Sequence, residues 1–145
     1  MTQRFVIASV QANPTVGDVS GNSAQAKAAI ERAAALGADI ALFPELFLLG
    51  YPPEDLVLKP AALRACRLAL EELAHATATA CPALITLPLA GEDGRPRNAV
   101  ALIAGGSVRG FGSKIDLPNY GVFDEKRVFA PGQAAALFEV SGVKI

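Results

Sequence analysis

Two ionisable residues occupy positions where an α/β protein most often builds a site. Glu45 closes the stretch "GADIALFPE", and Lys114 follows "SVRGFGS". Proline has no N–H to give to a sheet, so Pro44 stops a buried strand read over Ile40 to Phe43 and leaves Glu45 at its carboxyl end. In open α/β sheets ligand sites gather at that end. Lys114 ends a second strand and leads into "IDLPNYGVFDEKRVFAPG". There Tyr120, Phe123, Asp124, Glu125 and Arg127 crowd aromatic and charged groups, a composition suited to a ligand-facing wall. A carboxylate can take and return a proton, and an ammonium can meet developing negative charge. Each also has a plainer reading, as a loop-capping acid or a solvated cation.

Other reactive side chains offer less. Cys66 falls with Leu63, Leu70 and Leu73 on one helical face and reads as a core residue. Cys81 precedes Pro82 at the start of a strand, away from strand carboxyl ends. The single histidine, His75, lies off the leucine face. No Ser-His-Asp or Cys-His constellation is indicated, and two irregularly placed cysteines make neither a disulfide framework nor a metal site. "GGSVRGFG" lacks the Lys-Ser/Thr pair of a phosphate-binding loop and reads as a hairpin turn.

With 145 residues and 52% hydrophobic content the chain can bury a core as one domain. A net charge of −1 provides no basic field for nucleic acid or an anionic membrane. The apolar runs, broken by Asp39, Pro44, Glu45 and Pro52, fall short of a membrane span. The opening "MTQRFVIASVQ" alternates like a strand and is too short in apolar length for a secretory signal. A cytoplasmic protein is the expectation.

The elements that must carry these residues follow in order. "RFVIASVQ" predicts a strand and "GNSAQAKAAIERAAALG" a helix, with Asn22 as its cap, Gln25 completing a capping box and Gly37 as its left-handed stop. The strand at Ile40 follows. "GYPPEDLVLKP" reads as a loop, and about Ala61 to Thr79 as a leucine-striped helix. "ALITLPL", "NAVALIA" and "SVRGFGS" are strands joined by hairpin turns. The β-α-β-α-β-β-β order predicts a mixed sheet with helices on one face, leaving the second face apolar unless covered. "ALFEVSGVKI" reads as a strand, a Ser-Gly turn and the start of another strand. The expectation is a piece of a longer chain, since an unpaired apolar edge invites aggregation.

"FPELFLLGYPPEDL" and "KIDLPNYGVFDEKRVFAPG", with "GADIALFPE" and "NAVALI", resemble the nitrilase, or carbon–nitrogen hydrolase, superfamily, and within it the amino-terminal glutaminase domains of glutamine-dependent NAD synthetases. The resemblance runs from Phe5 to the end of the chain, and "YPPEDL" carries its narrower part. It implies an α/β fold, part of an α-β-β-α sandwich, with residues 1–145 an incomplete glutaminase domain. It implies a Glu-Lys-Cys triad with Glu45 as general base and Lys114 as oxyanion stabiliser. Glu125 is then catalytic support and Tyr120 borders the glutamine pocket. The family's cysteine lies in a segment similar to "GVKIG…C", which this sequence does not reach, and neither Cys66 nor Cys81 matches it. No cofactor is implied for this domain. ATP and Mg would belong to a synthetase domain of the same polypeptide, and homo-oligomers are implied. A stand-alone amidase or carbamoylase, or a catalytically inactive binding module of the same fold, remain alternatives.

Overall fold

The computed structural model describes residues 4–145. Met1 to Gln3, part of the opening segment weighed against a secretory signal, lie outside the described residues. A five-stranded sheet runs in the order β1 (Ile7–Ser9), β2 (Ile40–Leu42), β3 (Ala83–Ala90), β4 (Pro96–Ala104) and β5 (Ser107–Ser113). β1, β2 and β3 are parallel, whereas β4 is antiparallel to both β3 and β5. Two reversals restore the original direction, so β5 ends at the same edge of the sheet as β2. That alone brings Lys114 toward Glu45. β1 and β2 are shorter than their apolar runs because their ladder pairs only Ile7 to Ser9 with Ile40 to Leu42.

Helices α1 (Val19–Ala35) and α2 (Pro60–Ala76) pack against each other and against one face of the sheet. Ala26, Ile30, Leu70 and Leu73 meet Ala41, Ile85 and Ile103 in one buried cluster. Helical spacing aims these side chains inward together, and their burial supplies the main stabilisation. Pro60 opens α2, where its missing N–H costs nothing.

The opposite face carries a smaller cluster, Ile40, Leu102 and Val140, with Leu84, Phe138 and Ile145 packed on it. The hairpin β6 (Glu139–Val140) and β7 (Val143–Lys144) supplies part of that cover. Gly112 admits the segment that leads into this hairpin: a Cβ there would meet the Ala136 Cβ at 2.8 Å.

The cap of α1 differs from the sequence expectation. The helix begins at Val19, and the Asp18 side chain accepts from the Gly21 N–H at 2.9 Å. Asn22 is instead buried inside the first turn, where its Nδ2 donates to the carbonyls of Thr15 (2.8 Å) and Leu48 (3.1 Å). A buried amide must satisfy its donors and acceptor, and Asn22 does so by tying α1 to the segment behind Glu45. "GYPPEDLVLKP" also holds more structure than a loop, with a short 3-10 helix over Glu54–Leu58. No helix among the described residues is long and apolar enough to cross a membrane.

Candidate active site

Glu45 sits in a turn held on both sides by one residue of the neighbouring strand. The Thr86 hydroxyl donates to the Pro44 carbonyl and accepts from the Phe47 N–H at 2.9 Å, and the Leu48 N–H donates to the Thr86 carbonyl at 3.1 Å. Between these anchors Leu46 adopts a left-handed backbone (φ 53°) although it is not glycine. Such a conformation costs of order 1–3 kcal/mol and persists only where its surroundings over-determine it. Complete burial of the Leu46 side chain does so. The turn closes at Gly50, also left-handed (φ 91°), where a Cβ would lie 2.6 Å from the Val16 Cα.

Lys114 is fixed from β4, its N–H donating to the Asn98 carbonyl at 2.8 Å. Its ammonium then bridges two carboxylates, Glu45 Oε1 at 2.8 Å and Glu125 Oε1 at 2.9 Å. Burial opposes its charge, but the hydrogen bonds and charges of Glu45 and Glu125 outweigh that, and its pKa is raised above the ordinary lysine value. The lysine therefore stays charged throughout neutral pH. Glu125 opens the short helix α3 (Glu125–Val128), and its Oε2 is buried without a hydrogen-bond partner among the described residues. A buried acceptor left open costs free energy, so this oxygen is poised for a donor.

Glu45 and Lys114 line an open cavity of about 520 Å³ whose other walls include Thr86, Asn98, Phe138 and Ile145. The arrangement offers a cation paired with two carboxylates, a carboxylate whose second oxygen has no protein donor among the described residues, and room for a small substrate. An acid, a base and a charge stabiliser can be drawn from it without a metal, and the described residues hold no cluster of three or more His, Cys, Asp or Glu side chains suited to one.

The carbon–nitrogen hydrolase profile matches residues 6–145. The chain belongs to the carbon–nitrogen hydrolase family. It is 39% identical over 143 residues to the glutamine-dependent NAD(+) synthetase of Thermotoga maritima, covering 99% of this chain and 25% of that protein. The structure of the glutamine-dependent NAD+ synthetase from Acinetobacter baumannii, in complex with ADP, superposes with a TM-score of 0.89 at 35% identity, over 97% of this chain and 26% of its own. An amidase from Nesterenkonia sp., solved with acrylamide added at its active site cysteine, gives 0.80 at 26% identity, over 97% of this chain and 55% of its own. This carbon–nitrogen hydrolase chain thus spans about a quarter of the synthetases it resembles.

Of the residues singled out in the sequence, Glu45, Lys114 and Glu125 come together. Tyr120 does not join them: it is 71% exposed, its ring stands edge-on to Phe123 with centroids 5.6 Å apart, and it is absent from the cavity wall. Two neighbours were not anticipated. Asn98 is buried, and its Nδ2 donates to Glu45 Oε1 at 2.5 Å. Tyr51 lines a smaller hollow with Glu125, and its pKa is raised by burial and by the charges of Glu45 and Glu125. "NAVALI" contained the signal for Asn98, a lone amide opening a buried strand.

The cysteines of this carbon–nitrogen hydrolase chain lie away from that cavity. Cys66 is fully buried in the helical layer, and burial pushes its thiol up to about 12. The folded value exceeds the ordinary 9.0, so the associated stability is intact below pH 9 and is lost as pH rises toward 12. Cys66 should accordingly resist iodoacetamide at pH 8 in the native protein and react once denaturant is added. Mass spectrometry of the labelled peptides checks this, and rapid native labelling of Cys66 would contradict it. Cys81 is half-buried, with its Sγ 3.8 Å from the Ile30 carbonyl, and its pKa is likewise raised by burial.

Proposed function

We propose that this chain is the base-and-cation half of a glutaminase site, serving an NAD synthetase whose remaining residues lie outside this sequence. The observation that carries the reading is the Lys114 ammonium held between Glu45 and Glu125 in the cavity wall that Ile145 also joins. The chain covers 25% of the Thermotoga maritima synthetase, and the triad that the resemblance implies needs a cysteine beside this acid and lysine.

The chemistry follows from those positions. Glu45 takes the thiol proton of that cysteine, and the thiolate attacks the carboxamide carbon of glutamine. Lys114 faces the oxygen that gains charge, a contribution worth about 10²–10³ in rate for one such donor. Collapse breaks the C–N bond, and Glu45 returns its proton to the departing ammonia. Water, deprotonated by Glu45, then cleaves the thioester to glutamate and restores the thiol. Glu125 holds Lys114 in place, and its open oxygen takes a donor from the substrate amide. Tyr120, exposed beside Phe123, keeps the role that the resemblance implies, bordering the glutamine pocket. Ammonia passes to a synthetase domain that amidates deamido-NAD with ATP and Mg.

The same acid and lysine would serve a stand-alone amidase. The greater identity to a synthetase than to an amidase among superposed structures, 35% against 26%, favours the glutaminase. The chain of residues 1–145 alone should release no ammonia from glutamine, since it has the base and the cation without the nucleophile. Ammonia above background from the purified chain, abolished by Glu45→Gln, would overturn the proposal.

A further inference from the structure

Glu45 makes its two hydrogen bonds through the same oxygen. Oε1 accepts from Asn98 Nδ2 at 2.5 Å and from Lys114 Nζ at 2.8 Å, while Oε2 has no protein donor among the described residues. Asn98 is 5% exposed and stands near the start of β4, in register with Pro88 on one side and next to the Ala99–Ser113 pair on the other. Its backbone carbonyl accepts the Lys114 N–H at 2.8 Å. One residue therefore touches both members of the pair, the acid through its side chain and the lysine through its main chain.

We infer that Asn98 is the positioning residue of the site, fixing Oε1 of Glu45 so that Oε2 alone faces the cavity as the proton acceptor. This rests on the reading of Glu45 as base. A lysine by itself cannot do the same work, because a flexible ammonium can follow either oxygen when the carboxylate rotates. The short amide on a rigid strand cannot follow, so rotation of the carboxylate breaks a charge-assisted bond and leaves the donor of the buried Asn98 unpaired. The ordering confines reactivity to one oxygen, and the amide, which does not titrate, keeps that donor present at every working pH.

The groups facing Glu45 are Lys114 just after β5, Glu125 from α3, Tyr51 from the following loop and Asn98 from β4. Only Asn98 is uncharged and non-titrating, so exchanging it for a carboxylate changes the titration of the site in a defined direction. In the full-length protein Asn98→Ala should lower kcat for glutamine hydrolysis by about 10–100-fold with KM within about threefold, because the lost order is felt in proton transfer rather than in binding. Asn98→Asp fits the same space and places a second carboxylate against Oε1. Like charges sharing a site cannot both ionise freely, so the acidic limb of the kcat/KM–pH profile should move up by at least about one pH unit.

The test measures both variants beside Glu45→Gln, with melting temperatures. If Asn98→Ala loses kcat and Asn98→Asp moves the limb upward, the inference stands. Should Asn98→Ala fail to fold, the position of the limb in Asn98→Asp decides alone. An unmoved limb in Asn98→Asp, or wild-type kcat in Asn98→Ala, overturns the positioning role while inactive Glu45→Gln preserves the base assignment. Activity retained in Glu45→Gln removes the base assignment itself and the inference with it.

Discussion

Glu45→Gln in the full-length protein is expected to cut glutamine turnover by about 10²–10⁴-fold with a melting temperature near wild type. The change keeps the shape of the side chain and can still offer an oxygen to Asn98 Nδ2 and Lys114 Nζ, the two donors that hold Oε1. What it removes is the basic oxygen. The turn around it depends on Thr86 and on the buried Leu46, neither of which the substitution touches. Were Glu45 only a loop-capping acid, the amide would serve as well, and the effect would stay within the roughly half-kilocalorie range of surface changes. Turnover and thermal melting measured on one preparation separate these cases. A variant that melts normally but retains its turnover would contradict the assignment.

Lys114→Ala should lose glutamine-dependent activity by at least about 10²-fold while ammonium salt restores product formation. The expectation follows from where the charge lies. Lys114 is the only cation in contact with either carboxylate among the described residues, so its removal leaves Glu45 and Glu125 facing each other without compensation. Glu125 is largely buried, and an unpaired buried carboxylate is costly. Some loss of stability therefore accompanies the loss of rate, and Lys114→Met, closer in volume, distinguishes packing from charge. Supplying ammonia bypasses amide hydrolysis but not the later amidation. Equal loss with both nitrogen sources would place Lys114 in the fold or in the synthetase step.

The acid and the lysine were legible in the sequence because strand endings are written locally. Pro44 marks one, and the lysine after "SVRGFGS" marks the other. Their meeting depends on strand direction, which the two hairpins around β4 make predictable. The residues that hold them were less legible. Asn22 looked like a helix cap because its spacing to Gln25 fits one, and nothing nearby in sequence reveals the Leu48 carbonyl it reaches. Asn98 sits inside an apolar run, and its partner Glu45 is 53 positions away. Leu46 carries no sign of its left-handed backbone, since that conformation is imposed by Thr86 and the core. Tyr120 was assigned to the glutamine pocket through the family resemblance, and its ring stands exposed, edge-on to Phe123. Local chemistry reveals which groups can react, whereas long-range register decides which groups hold them.

Glu45 and Lys114 are proposed to serve amide hydrolysis and nothing downstream of it. The most direct measurement compares NAD formation by full-length Glu45→Gln with glutamine and with ammonium as nitrogen source, at equal protein and ATP. Formation lost with glutamine and unchanged with ammonium is the predicted result. Formation retained with glutamine, or lost equally with both, would contradict it.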